Sequence, residues 1–127
     1  MPDAIAAWHA YMHAPTREAL DALIAEECVF RSPAVHTPQV GKPLTMKYLL
    51  AAAEVLGNDS FRYVGEWRGD ASAVLEFECT IEGGIAVNGV DIIGWNADGR
   101  ITEFKVMIRP IKALNAVMPL MAAALSR

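Results

Sequence analysis

Apolar residues recur at two spacings along this chain, helical towards both ends and alternating between them. In Asp3 to His13, Ile5, Trp8 and Met12 form one helical stripe with Ala4 and Tyr11 beside it, and Pro15 stops it. Thr16 is placed to cap a second helix, with Glu18 in its first turn. Leu20, Leu23 and Ile24 form its apolar side, and it is expected to end near Glu26 or Glu27. Cys28 to Arg31 is a short β-type run. It enters a loop, Ser32 to Pro43, in which three prolines and a glycine exclude regular structure. A third helix is predicted from Leu44 or Thr45 through Met46, Leu49, Leu50, Ala53 and Leu56, closed by Gly57-Asn58.

Beyond that helix the period falls to two. Phe61, Tyr63 and Val64 lead to Trp67, and Arg68-Gly69-Asp70 turns the chain. Ala73, Leu75, Phe77, Cys79 and Ile81 then alternate with Val74, Glu76, Glu78, Thr80 and Glu82, as in a half-buried strand. Glu82-Gly83-Gly84 makes the next turn. The following stretch, Gly89 to Pro110, reads as a hairpin about Asn96-Ala97-Asp98-Gly99, with Gly99 at positive φ and Asp98 bonding nearby backbone. A four-residue turn sets Trp95 against Arg100, Ile93 against Thr102 and Asp91 against Phe104. One face then collects Asp91, Ile93, Trp95, Thr102, Phe104, Val106 and Ile108, apolar apart from Asp91 and Thr102. The other face carries Glu103, Lys105 and Arg109 with Val90, Ile92 and Met107. Lys112 to Leu125 regains helical spacing, and Pro119 is expected to kink or split that helix. Helices followed by an antiparallel sheet predict one α+β domain of two layers over residues 1–127.

Composition sharpens this picture in one respect. The chain is 54% hydrophobic and 20% charged, which excludes disorder and leaves more apolar surface than a small monomer easily hides. A ligand cavity, a homodimer interface through the outer sheet face carrying Val90, Ile92 and Met107, or both, are therefore expected. The net charge is −4 with no basic cluster, so nucleic acid is not an expected partner. No apolar run approaches the roughly 20 residues that cross a bilayer. The N-terminal stretch lacks the basic flank of a signal peptide. Cys28 and Cys79 lack metal or redox spacing and read as buried, reduced thiols. The expectation is a cytoplasmic protein without membrane contact.

The order of helices, strand, Pro-rich loop, helix and long meander resembles the nuclear transport factor 2-like superfamily, and more narrowly its SnoaL-like group, named after a polyketide cyclase. The residues that carry the resemblance are Glu26 to Pro33, Gly41-Lys42 opening a helix, Gly89-Val90-Asp91-Ile92-Ile93, and Asp98-Gly99-Arg100-Ile101. It implies a cone-shaped fold in which a curved antiparallel sheet wraps N-terminal helices and an internal pocket, here with an extra C-terminal helix. The superfamily includes ketosteroid isomerases, in which a carboxylate base works with an oxyanion hole of a Tyr and a neutral Asp. A gap-free comparison carries the oxyanion Asp onto Asp91 but the base onto Ser32 and the Tyr onto Trp8. The resemblance therefore implies the pocket and the Asp, and does not imply steroid isomerisation.

Asp91 has two readings: a pocket carboxyl of raised pKa that moves a proton or anchors a ligand, or a carboxylate paired within the sheet. His36 is at what the resemblance implies is the pocket rim and suits proton transfer; a loop histidine bonded to backbone is the alternative. Ser32, with no activating partner in view, is a candidate to bond a ligand. Trp8, Ile93, Trp95, Phe104 and Val106 are the expected apolar lining, with Tyr11, Trp67, Met12 and Met46 as either lining or core. His9 and His13 share one helix turn but have no acidic or Cys ligand in their motif, so no metal is assigned. Arg109 is read as pairing with a strand carboxylate, with a ligand anion as the alternative. The functional expectation is a cofactor-free acid–base enzyme of isomerase, dehydratase, hydrolase or cyclase type, acting on a small apolar molecule through Asp91 and His36. The alternative is a non-catalytic binding or homodimeric module.

Overall fold

The computed structural model describes residues 2–127, which form four helices and six strands. Helix α1 (Ala4–His13) is capped by Asp3, whose carboxylate accepts the backbone N–H groups of Ile5 and Ala6. Helix α2 (Arg17–Leu23) starts as predicted, with the Thr16 hydroxyl accepting from the N–H of Ala19. It ends earlier than predicted. Ile24 leaves the helical conformation and opens β1 (Ile24–Arg31), because Ile24 and Ala25 are buried as well in a strand as they would be on a helix face.

The Pro-rich segment holds a two-residue strand, β2 (Gln39–Val40), against β1. Helix α3 (Lys42–Leu56) starts two residues before the predicted point, because Pro43 is tolerated in the first turn, where no intrahelical N–H bond is lost. The meander follows as β3 (Arg62–Arg68), β4 (Ser72–Ile81), β5 (Ile85–Trp95) and β6 (Ile101–Arg109). Helix α4 (Ile111–Leu125) runs without a break across Pro119, so that residue does not split it.

The sheet order is β2-β1-β6-β5-β4-β3. It is antiparallel except where β1 lies parallel to β6, a departure from the all-antiparallel expectation. The whole meander separates those two strands in sequence, so no tight hairpin constrains their direction. The β5–β6 hairpin also differs from the predicted register. Trp95 pairs with Ile101, but a bulge at Thr102 shifts the remainder, so Ile93 meets Phe104 and Asp91 meets Val106. The bulge lets Ile101 and Phe104 both reach the core, each at most 1% exposed, while Thr102 leaves it. Within the turn it is the Asn96 side chain, not Asp98, that accepts the backbone N–H groups of Asp98 and Arg100. Gly99 takes φ +77° as expected.

The core lies between the helices and one sheet face, built on Leu75, Phe77, Val87, Ile93, Phe104 and Phe30 with Ile5, Trp8 and Leu20 from the helices. Asp91 sits in that layer, flanked in the sheet by Leu75 and Val106. Among the described residues no helix is long and apolar enough to cross a membrane.

Candidate active site

Strand alternation puts Asp91 on the core face of β5, where it is 7% exposed. Its hydrogen-bonding partner comes from two strands away. Neighbouring strands are about 4.8 Å apart, so β3 and β5 are separated by roughly 10 Å, and a tyrosine is long enough to bridge them. The Tyr63 hydroxyl donates to Asp91 Oδ2 at 2.6 Å. Two features of the sheet allow this reach. A register shift between Tyr63 and Gly65 reorients the start of β3, and Gly89, in the row between Phe77 and Ile108, carries no side chain. A Cβ on Gly89 would stand 2.5 Å from the Phe77 ring and 2.6 Å from the Met107 carbonyl oxygen.

Trp8, on the buried side of α1, completes a chain of hydrogen bonds: its indole N–H donates to the Tyr63 oxygen at 2.9 Å. The direction of the chain is fixed by chemistry. An indole nitrogen only donates and an ionised carboxylate only accepts, so with Asp91 ionised the Tyr63 oxygen accepts from Trp8 and its own hydrogen goes to Asp91 Oδ2. With Oδ2 held by Tyr63, Oδ1 is the edge of the carboxyl left free to exchange a proton with a ligand. Among the described residues Oδ1 has no hydrogen-bond partner, and no fully buried side-chain oxygen is left unsatisfied, so Oδ1 keeps accessible surface. Asp91 lines a cavity of about 190 Å³ walled also by Trp8, Tyr11, Leu49, Phe61, Phe77 and Phe104.

Burial pushes the Asp91 carboxyl up to about 7, against a smaller downward pull from the Tyr63 hydrogen bond. Burial and the nearby Asp91 charge push the Tyr63 phenol well above its usual range. Tyr11 is also raised by burial, so both phenols remain neutral at physiological pH. The Tyr11 hydroxyl takes no partner among the described residues and lies in the same cavity wall.

Of the residues singled out in the sequence, the structure brings Asp91, Trp8, Phe104 and Val106 to this cavity, with Tyr11 and Met12. It does not bring the others. Ile93 is fully buried beside Phe104, and Trp95 is half-buried at the end of β5; neither is in the wall. Met46 is core, and Trp67 is 58% exposed on the edge strand β3. Ser32 Oγ accepts from the backbone N–H of Ala34 and faces a second cavity. His36 is exposed on the loop and lines neither cavity. His9 bonds Glu66 at 2.7 Å and packs edge-on against the Tyr63 ring, and Arg109 donates to Asn88 rather than to a carboxylate. Among the described residues no group of three or more His, Cys, Asp or Glu side chains is placed to hold a metal ion.

No protein-family model matches the sequence, and no curated protein matches it. Solved structures do. The chain is 33% identical to a steroid delta-isomerase from Pseudomonas aeruginosa, covering 97% of this chain and 89% of that one with a TM-score of 0.89. A bacterial protein of cystatin-like fold from Silicibacter pomeroyi is 28% identical over 94% of this chain and 83% of its own, with a TM-score of 0.85. A nuclear transport factor 2-like protein from Mesorhizobium loti, 20% identical over 84% and 88%, shares the fold with a TM-score of 0.70. The helices on a curved six-stranded sheet and the identity to the Pseudomonas protein agree: this chain belongs to the ketosteroid isomerase-like family of nuclear transport factor 2-like fold.

Proposed function

We propose that the protein is a cofactor-independent enzyme that transfers a proton on a small apolar molecule bearing a carbonyl or hydroxyl oxygen, with Asp91 as the proton carrier. The observation that supports this most directly is Asp91, a carboxyl held at Oδ2 by Tyr63, with Oδ1 unpaired, in the wall of a largely apolar cavity. With a pKa of about 7, both protonation states are populated at neutral pH. The ionised form takes a proton from carbon beside the oxygen-bearing group, and the neutral form returns it at a second position. That sequence is an isomerisation; the same neutral carboxyl also serves dehydration or hydration. The Tyr11 hydroxyl is the group we assign to hold the ligand oxygen. Within the family, the resemblance carried by Glu26 to Pro33 and Gly89 to Ile93 supports the SnoaL-like group.

One observation favours a second reading, ligand binding without turnover. Ser32, where the resemblance implies a base, is turned to the other cavity, and Asp91 is the one carboxyl in the wall of its own. Asp91→Asn separates the two, because the amide keeps the shape and can still accept from Tyr63. With a β,γ-unsaturated ketone as probe and conjugation followed by ultraviolet absorbance, wild type should isomerise it and Asp91→Asn should lose at least ~100-fold in rate while retaining ligand binding. Equal rates in the two proteins would rule out the catalytic role.

A further inference from the structure

A second cavity, of about 200 Å³, lies between α4, the Pro-rich loop and the sheet, and the Asp91 site does not use it. Its wall is formed by Phe30, Tyr48, Ile108, Leu114, Val117 and Met121, and no charged side chain enters it. The polar side chains there are Ser32, already engaged by the Ala34 N–H, and Tyr48, whose ring stacks on Phe30. Three residues line both cavities: Ala52 and Leu56, one turn apart on α3, and Val106, the β6 partner of Asp91.

We infer that the two cavities are two halves of one ligand site: an oxygen-bearing head meets Asp91, and an unbranched hydrocarbon tail passes Ala52, Leu56 and Val106 to lie under α4. This rests on the reading of Asp91 given above and names the class of molecule it acts on. An apolar cavity of about 150 Å³ holds one benzene, so each half accommodates about six to eight heavy atoms, and the whole suits a chain of roughly ten to fourteen carbons. Apart from the Tyr48 hydroxyl, the second half offers such a tail only dispersion contacts and burial from water. The residues common to the two walls are an Ala, a Leu and a Val, all with small or flexible apolar side chains. Met118 and Met121, unbranched and adaptable, complete the far end.

The test uses a series of straight-chain 2-ketones, from 2-butanone to 2-decanone, titrated into isotope-labelled protein and followed by NMR. All should move the Asp91 carboxyl signal. Only those longer than about seven carbons should also move the Val117 and Met121 amides, and affinity should keep rising about fourfold per added methylene past that length. Ala122→Trp, at an exposed position on the cavity rim, and Leu114→Phe, which fills it from within, should each bring the long ketones down to the affinity of 2-hexanone and leave 2-hexanone unchanged. A plateau at about seven carbons in the wild-type protein, with Val117 and Met121 still, would overturn the tail site while leaving the Asp91 reading intact. If no ketone moves the Asp91 signal, the Asp91 reading itself falls. Long ketones that shift Val117 and Met121 without Asp91 would show two independent cavities and overturn the single-ligand site.

Discussion

At the scale of single residues, the site is organised by the one-way chemistry of an indole. Trp8 can only donate and ionised Asp91 can only accept, so Tyr63 between them accepts from the indole and donates to Asp91 Oδ2, leaving Oδ1 as the unpaired edge of the carboxylate. This arrangement lowers stability. The folded carboxyl has a pKa of about 7 against an ordinary value of 3.8. Between those pH values the folded protein keeps a proton that the unfolded chain releases. Stability is therefore full below pH 4, falls as pH rises through 7, and stays lower above it by up to about 4 kcal/mol. Asp91→Asn should relieve that loss: its melting temperature should exceed that of the wild type by several degrees at pH 8 and match it near pH 4. An equal effect at both pH values, measured by calorimetry, would mean that Asp91 is not titrating in this interval. Asp91 was legible in the sequence, as the one carboxylate on an apolar strand face. Its partner Tyr63 was not, because their relation spans two strands and depends on an edge-strand register shift that no local spacing records. Ser32 and His36, selected through the resemblance and the loop, lie elsewhere because Pro33 to Val35 line the second cavity and leave His36 exposed.

At the scale of elements, periodicity set most of the architecture. The stripe of α1, the Thr16 cap, the alternation of β4 and the Asn96–Gly99 turn all follow from side-chain spacing or local bonding. The misplaced features share a cause, a local pattern compatible with two structures. Ile24 and Ala25 satisfy a helix face or a buried strand equally, and tertiary pairing with β6 decides for the strand. In the hairpin, Thr102 and Ile101 compete for the inner face, and the bulge awards it to the larger apolar side chain. Gly89 has a more specific role than a turn residue: it leaves the space that the ring of Phe77, the β4 partner of Tyr63, occupies. Gly89→Ala should therefore cost about 2 kcal/mol through overpacking against Phe77 and the Met107 carbonyl. Chemical denaturation would show it as a lower midpoint at unchanged slope. Pairing the change with Phe77→Leu should recover part of the loss, and no recovery would place the strain elsewhere.

At the scale of the whole molecule, helices on one face of a curved sheet enclose two apolar cavities with a single carboxyl edge exposed inside. The high apolar content noted in the sequence is spent partly on these walls. α4 roofs the second cavity with Leu114, Val117 and Met121, so the C-terminal helix belongs to the ligand site as much as to the core. The proton-transfer account depends on one property of this enclosure, that it keeps Asp91 desolvated yet reachable. A carbon-detected NMR titration of the side-chain carboxyls, with Asp91→Asn to assign the signal, measures that property directly. The account predicts a midpoint near 7. A midpoint at or below the ordinary carboxylate value of about 4 would mean a solvated or ion-paired group and would contradict the assignment of Asp91 as the proton carrier.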